Sequence, residues 1–429
     1  MRLSIITPTH NIEWLQDTYK SLLFQQYADW EWIVLCNGPK AGYLQQAVKK
    51  FANDKRVRVE AVNIAGESIG AIKGHAFRLG TGEALIELDH DDLLVPDALF
   101  VIAKALWNHP ECGFFYSDWA DFSDGKERPT YLRPGARKAW LQSGWKFTKT
   151  RVASGVRPGI YPHPIAFSPS AAALSSILWA PNHVRVWRTD LYHKIGGHNP
   201  RYQLSDDHEL LIRTYLATQM HHINQLLYLY RVSGKNTWAP RANEIGALSR
   251  QLGRENLEAL ILREAQLRKL PVFDLGAGDN PRAGWSPVDV RFGTKPHVLA
   301  DLRKEWPWPD DSVFAFRAQD LLEHLPDKQH TMNEIWRCLA PGGWLLSSTP
   351  STDGRGAFMD PTHVSYWNQN SFWYWTRPEF AKYIGNHYKL FSEAEITTYF
   401  PTQWHTDQNV PYVRAHLQVR KDGWHGPRG

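Results

Sequence analysis

Three carboxylates fall within four positions at Asp89-His90-Asp91-Asp92, directly after the apolar run Ala84-Leu85-Ile86-Glu87-Leu88. A buried strand tolerates such a run, but carboxylates at its end need water, a partner or a metal. Asp89 and Asp91 stand two apart and can converge on one hard cation through oxygen. Mg²⁺ or Mn²⁺ held there would bridge a diphosphate and neutralise charge as it leaves. The competing reading is a solvated turn opening a helix, with Asp92 as its cap and Pro96 in the first turn. A second candidate site is Val272-Phe273-Asp274-Leu275-Gly276-Ala277-Gly278, a strand ending in an acid and two glycines. Glycines there let backbone approach a ligand closely. Asp289 and Asp301 follow at the ends of further apolar runs.

Elements must carry these residues. Leu3–Thr7, Trp32–Leu35, Val57–Val62 and Ala84–Leu88 read as strands. Apolar positions at helical spacing lie between them, over Ile12–Gln26, Tyr43–Phe51 and Ile69–Leu79, with a further helix from Pro96 to Trp107. This alternation implies a parallel sheet in a nucleotide-binding α/β fold. Ala242 to Lys269 reads as one long helix, and strands alternate with other segments again beyond it. The expected organisation is a first domain over 1–240, a helical linker over 241–269 and a second domain over 270–429.

A chain of 429 residues is long for one domain and agrees with that division. With 43% hydrophobic and 22% charged residues it has the balance of a globular protein. No apolar run has membrane-spanning length, and the N-terminus reads as a strand, not a secretion signal. Its three scattered cysteines suggest neither a disulfide framework nor a zinc cluster, so a cytoplasmic location is expected. A net charge of +5 mildly favours an anionic partner.

Several stretches in order carry a family resemblance. Ser4-Ile5-Ile6-Thr7-Pro8-Thr9-His10-Asn11, Ser21–Tyr27, Thr81-Gly82-Glu83 and Leu88–Asp92 resemble a family-2 glycosyltransferase of GT-A fold. Ile195-Gly196-Gly197, Asp206–Arg213 and Tyr228-Leu229-Tyr230-Arg231 resemble its acceptor-side and closing segments. The resemblance implies metal-dependent, inverting transfer of a sugar from a nucleotide diphosphate. By position, Thr7 and Pro8 would line the nucleoside pocket, with Asn37 at a base edge. Lys73 would face the donor, Asp89 and Asp91 would hold metal and diphosphate, and Asp207 would be the general base. The alternative for Asp206-Asp207 is a helix N-cap. The chain departs from the family pattern at Cys36-Asn37, where an aspartate is usual, and at Ser233, where a histidine often completes the metal site.

Between Lys126 and Arg188, basic residues including Arg128, Arg133, Arg137 and Lys138 alternate with Tyr131, Trp140, Trp145, Phe147 and Tyr161. Such a mixture suits a groove for an anionic polymer, and equally a solvated basic loop. Nucleic acid is therefore one candidate partner.

Residues 270 to about 400 resemble class I methyltransferases that use S-adenosylmethionine. The resemblance implies that Asp274, Gly276 and Gly278 surround the methionine end, Asp289 the ribose and Asp301 the adenine. A base for a hydroxyl acceptor would be His363 or His324. Contiguous aromatics from Tyr366 to Trp375 suggest core or interface.

The expectation is thus two Rossmann-like α/β domains, GT-A then class I methyltransferase, in a bifunctional enzyme. It would glycosylate a glycan or other hydroxyl-bearing acceptor and O-methylate the product. The alternatives are glycosylation of hydroxymethylated bases in DNA, and a glycan- or nucleic-acid-binding scaffold without catalysis.

Overall fold

A computed structural model describes residues 1–62, 68–125, 130–132, 134–142, 144–176, 181–233, 241–291 and 298–422. Lys126, Arg128, Arg133 and the glycine- and proline-rich tail from residue 423 lie outside these residues. The chain divides into two compact units at Leu260/Ile261. That boundary falls inside the helix Ala242–Arg268, which matches the long helix read from the sequence but is shared between the units.

The first unit contains β1 (Leu3–Thr9), β2 (Trp30–Asn37), β3 (Val57–Val62), β4 (Ala84–Glu87) and β5 (Leu93–Leu94). It continues with β6 (Cys112–Phe122), β7 (Lys146–Val152), β8 (Gly159–Ile165), β9 (Arg185–Arg188) and β10 (Gln219–Arg231). Eight of these form one sheet in the order β3-β2-β1-β4-β9-β6-β10-β5, while β7 and β8 pair as a separate antiparallel hairpin. β1 and β2 are buried almost throughout, as expected of central strands covered on both faces. The expected parallel sheet holds for β3-β2-β1-β4 and for β6-β10. It needs correction at β9, which runs antiparallel to both β4 and β6, and at β5, antiparallel to β10. β9 enters the sheet after a long excursion through the hairpin, and this reverses its direction.

Helices fix the sheet's carboxyl edge. Ser68 caps the helix Ile69–Arg78, its hydroxyl accepting from Ala71 N at 3.0 Å. Gly70 in its first turn has no room for a side chain, since a Cβ would fall 2.1 Å from Asn199 O. This close approach brings Lys73 beside the helix Asp206–Ala217.

The second unit contains β11 (Val272–Leu275), β12 (Ser286–Asp289), β13 (Val298–Leu299), β14 (Val313–Gln319), β15 (Leu339–Pro350), β16 (Phe391–Tyr399) and β17 (Tyr412–Val419). Their order is β13-β12-β11-β14-β15-β17-β16. The first five are parallel, and β17 is antiparallel to both β15 and β16. Trp306, Trp308, Phe316, Trp367, Phe372 and Trp375 lie in its core, so much of the aromatic run is interior. Trp306 meets Trp308 edge to face, with ring centroids 5.7 Å apart, a geometry worth about 0.5–1.5 kcal/mol beyond area burial. Among the described residues, no helix is long and apolar enough to cross a membrane. All three cysteines are free and buried.

Candidate functional sites

The turn after β4 is held by the last strand of its unit. Asp92 Oδ2 accepts from Tyr228 Oη at 2.7 Å, and Asp92 Oδ1 accepts from Arg231 N at 2.7 Å. Arg231 Nε donates to Asp91 O at 2.7 Å, and Asp89 N donates to Tyr228 Oη at 3.2 Å. Thr18 Oγ1 lies 2.9 and 3.0 Å from the carbonyls of His90 and Asp92. Asp92 is therefore a fully buried latch. It does not cap a helix, since the helix that follows starts at Ala98 after Asp97.

Asp89 and Asp91 meet a different environment. Burial pushes Asp91 up to about 6 and raises Asp89 against the pull of His183 and Lys73. Buried carboxylates that resist ionisation for want of compensating charge fit a divalent cation. His10 and His90 meet edge to face at this end of the sheet, ring centroids 5.6 Å apart, and burial lowers both.

Behind the turn lies a buried ion network. Lys73 Nζ is 2.7 Å from Glu87 Oε1 and 3.7 Å from Asp206 Oδ2. Arg185 Nη1 is 2.8 Å from Asp207 Oδ2 and 3.4 Å from Glu87 Oε2. The register explains this, because Glu87 of β4 pairs directly with Arg185 of β9. Burial opposes the charge on Lys73, but Asp206, Glu87, Asp207 and Asp89 outweigh it and raise its pKa well above the usual value. Burial likewise opposes ionisation of Glu87, and Lys73 and Arg185 override it, holding its pKa well below the carboxylate range.

Asp206 and Asp207 differ although they are adjacent. Asp206 is buried, and burial lifts it to about 6 despite Lys73. Asp207 is 31% exposed. Burial there is overcome by Arg185 and Lys73, which hold it at about 2. Neither acid is the N-cap residue, which is Ser205, with a left-handed backbone and no side-chain capping bond, but Asp207 Oδ1 accepts from the first-turn N–H of His208 at 2.8 Å. Asp207 thus offers an ionised carboxylate reachable from outside, fixed by an arginine.

Of the other expected residues, Thr7 is fully buried. Its hydroxyl donates to Leu88 O at 2.8 Å and accepts from Trp32 Nε1 at 2.9 Å, so it braces the strand that presents Asp89. Pro8 and Asn37 are half-buried at the same ends of β1 and β2. Glu87, Arg185 and His183 escaped the sequence reading. His183 stacks on Tyr228 at 4.7 Å, and its Nδ1 is buried without a hydrogen-bond partner among the described residues. The signal for Glu87 was a lone charge inside an apolar strand.

The described part of the basic aromatic stretch packs on itself. Trp140 packs on Tyr131, Trp145 and Phe147, and Arg137 covers Phe147 at 4.3 Å. Tyr131 and Trp145 are buried. Trp140, Phe147 and Tyr161 stay half-buried, so the cluster has a packed side and a partly exposed one.

In the second unit, Asp274 Oδ1 is 2.7 Å from Arg317 Nη1, and Oδ2 accepts from Arg282 N at 2.9 Å. Asp289 Oδ2 accepts from Gly278 N at 3.0 Å, and Oδ1 from Arg291 N at 2.9 Å. Gly276 (φ 66°) and Gly278 (φ 53°) both need the left-handed region. A Cβ on Gly278 would meet nothing within 4 Å, which leaves open space beside the loop, as bound S-adenosylmethionine requires. Asp301 is clamped by Arg303 through two bonds of 2.8 and 3.0 Å, and these hold its carboxyl at about 2. His324 and His363 come together, ring centroids 5.0 Å apart, beside the buried Glu323.

Residues 4–173 match the family described as "Glycosyl transferase family 2", and residues 251–402 match "Methyltransferase domain". An uncharacterized protein y4gI of Sinorhizobium fredii is 24% identical over 268 residues, 59% of this chain and 25% of the relative. The O-antigen biosynthesis protein RfbC of Myxococcus xanthus is 25% identical over 279 residues, 62% of this chain and 19% of the relative. A probable S-adenosylmethionine-dependent methyltransferase of Mycolicibacterium smegmatis is 34% identical over 96 residues, 21% of this chain and 34% of the relative. The chain spans a quarter or less of the first two relatives and about a third of the last. Among solved structures, S. aureus TarS 1–349 aligns with a TM-score of 0.42 at 16% identity, covering 63% of this chain and 73% of that one. The chain thus carries a region that matches glycosyl transferase family 2, followed by a region that matches a methyltransferase domain.

Proposed function

We propose that the first domain transfers a sugar from a nucleotide diphosphate donor to a glycan hydroxyl with inversion, and that the second O-methylates the product. The observation that carries the first half is the Lys73 network. One ammonium group interacts with Asp89 on the turn and with Asp206 and Asp207 on the facing helix. Cation and base candidates therefore belong to one electrostatic unit. Asp89 and Asp91 would hold Mn²⁺ or Mg²⁺, which supplies charge neutralisation on the diphosphate. Pro8 and Asn37 would contact the nucleoside, with Thr7 supporting the strand beneath them. Asp207 accepts the proton of the acceptor hydroxyl as that oxygen attacks the anomeric carbon. Arg185 keeps its carboxylate ionised and aimed, and sharing that arginine with other partners would make Asp207 a stronger base.

For methyl transfer, the glycine loop at Gly276 and Gly278 would pass the methionine end. Asp289 fixes the loop while keeping lone pairs for ribose hydroxyls, and Asp301 would reach the adenine. Asp274 holds the loop through Arg282 N. The acceptor hydroxyl would sit by His363 and His324. The naming of one relative for O-antigen biosynthesis supports a saccharide acceptor.

The test is incubation of the full chain with UDP-, dTDP- and GDP-sugars, a glycan acceptor, Mn²⁺ and S-adenosylmethionine. Nucleoside diphosphate release is expected with one donor class. Chelation or Asp91→Asn should bring it to background. S-adenosylhomocysteine should form only once the acceptor is glycosylated; equal methylation of unglycosylated acceptor would overturn the coupling.

A further inference from the structure

The carboxyl edge of the second sheet carries a cluster with the makings of a metal centre. Glu323 and His324 lie on the short turn Leu322–His324 after β14, and His363 lies on the segment after the helix Gly356–Met359. Their candidate ligand atoms all lie within 4.8 Å of one another. The two segments are tied together. Val364 N and Ser365 N donate to Glu323 O at 2.8 and 2.9 Å, and Ser365 Oγ donates to Leu322 O at 2.8 Å.

The histidine tautomers follow from their partners. His363 Nδ1 is 3.0 Å from Ala357 O, and His324 Nδ1 is 3.1 Å from Thr362 O. A carbonyl only accepts, so each ring carries its proton on Nδ1 and presents a bare Nε2. That is the arrangement of a metal-binding imidazole oriented by an outer partner. Glu323 is buried, and its Oε2 accepts from Thr349 Oγ1 at 2.5 Å, which orients the carboxylate.

We propose that Glu323, His324 and His363 bind one divalent cation of the Mn²⁺, Co²⁺ or Zn²⁺ class, leaving open positions for the hydroxyl that accepts the methyl group. Imidazole nitrogen with one carboxylate suits that class better than Mg²⁺ or Ca²⁺. The location is appropriate, because a Cβ on Gly276 of the cofactor loop would press on Leu321, two residues before Glu323. The hydroxyl role rests on the methyl-transfer reading above. Bound to the cation, the hydroxyl loses its proton to solvent more readily. Its oxygen lone pair then forms the bond to the sulfonium methyl carbon. The S–CH₃ bond breaks with its electron pair kept on sulfur, giving S-adenosylhomocysteine.

The experiment titrates Co²⁺ alone into the full chain carrying Asp89→Asn and Asp91→Asn, which removes the other candidate cation site. One Co²⁺ per chain should bind, with visible absorption from nitrogen ligation. Adding His324→Ala and His363→Ala should weaken binding about a hundredfold or more. Should that variant fail to fold, Glu323→Gln, which keeps its shape, should still weaken binding about tenfold. Unchanged Co²⁺ affinity in a folded variant overturns the site. S-adenosylmethionine binding is measured in parallel. Its absence beside intact Co²⁺ binding would sink the methyl-transfer reading alone, while its presence without Co²⁺ binding would sink the cation site alone.

Discussion

The two units set acids at the same place, the carboxyl edge of a parallel sheet, and treat them in opposite ways. Beyond β4, burial raises Asp89 and Asp91 without enough positive charge to offset it. At the ends of β11 and β12, Asp274 and Asp289 accept backbone N–H groups, and Asp274 also meets an arginine. The first edge leaves its acids short of compensating charge, which is what the proposed cation would supply. The second uses its acids as braces, so that a glycine loop keeps its shape and backbone can face the ligand. Position in the fold marks where a ligand binds, and the satisfaction of each carboxylate tells what kind.

Variants can break this contrast. The largest effect is expected from Asp207→Asn, which removes the proton acceptor and should lower kcat for sugar transfer about 10²–10⁴-fold with donor Kd unchanged. Steady-state assays and donor calorimetry check it, and a loss confined to donor Kd would contradict the base role. Glu87→Gln leaves Lys73 and Arg185 facing each other without their shared anion. It should cost about 3–5 kcal/mol, read by chemical denaturation.

Asp206 sharpens the contrast through pH. Its pKa is raised in the folded chain, so its contribution to stability is complete below about pH 4 and lost as pH rises through about 6. Asp206→Asn should therefore stabilise the protein at pH 8, by on the order of 1–3 kcal/mol, and change little near pH 4. Melting curves at both pH values test the sign. The smallest effect is expected at the half-buried Asp301. Asp301→Ala should leave Tm unchanged and weaken S-adenosylmethionine binding about fivefold, the loss of one hydrogen bond. A marked fall in Tm there would place Asp301 among the braces.

Much of this was legible in the sequence. The alternation of elements, the Asp89–Asp92 turn and the Asp274–Gly278 loop are local patterns, and local patterns survive folding. Arg185 was not legible, because Arg-Val-Trp-Arg reads as an ordinary strand until β9 is inserted antiparallel beside β4. Thr7 looked like a pocket residue because the sequence does not show that Trp32 and Leu88 claim its hydroxyl. The cationic and aromatic run left two readings open for a related reason. Its composition matches a polymer groove, but the rings find one another first. Glu323 went unnoticed because its partner His363 is 40 positions away and only the fold joins them.

The latch at Asp92 bears on how the protein is made. Tyr228 and Arg231 lie 136 and 139 positions downstream of it. On the ribosome, the turn holding Asp89 and Asp91 can gain its contacts from Thr18 early, but it lacks those from Tyr228 and Arg231 until β10 emerges and slots between β6 and β5. The closing contacts of this turn are then among the last that the first unit acquires during synthesis. A nascent fragment ending before residue 219 would own most of its strands and still lack the partners that fix Asp92.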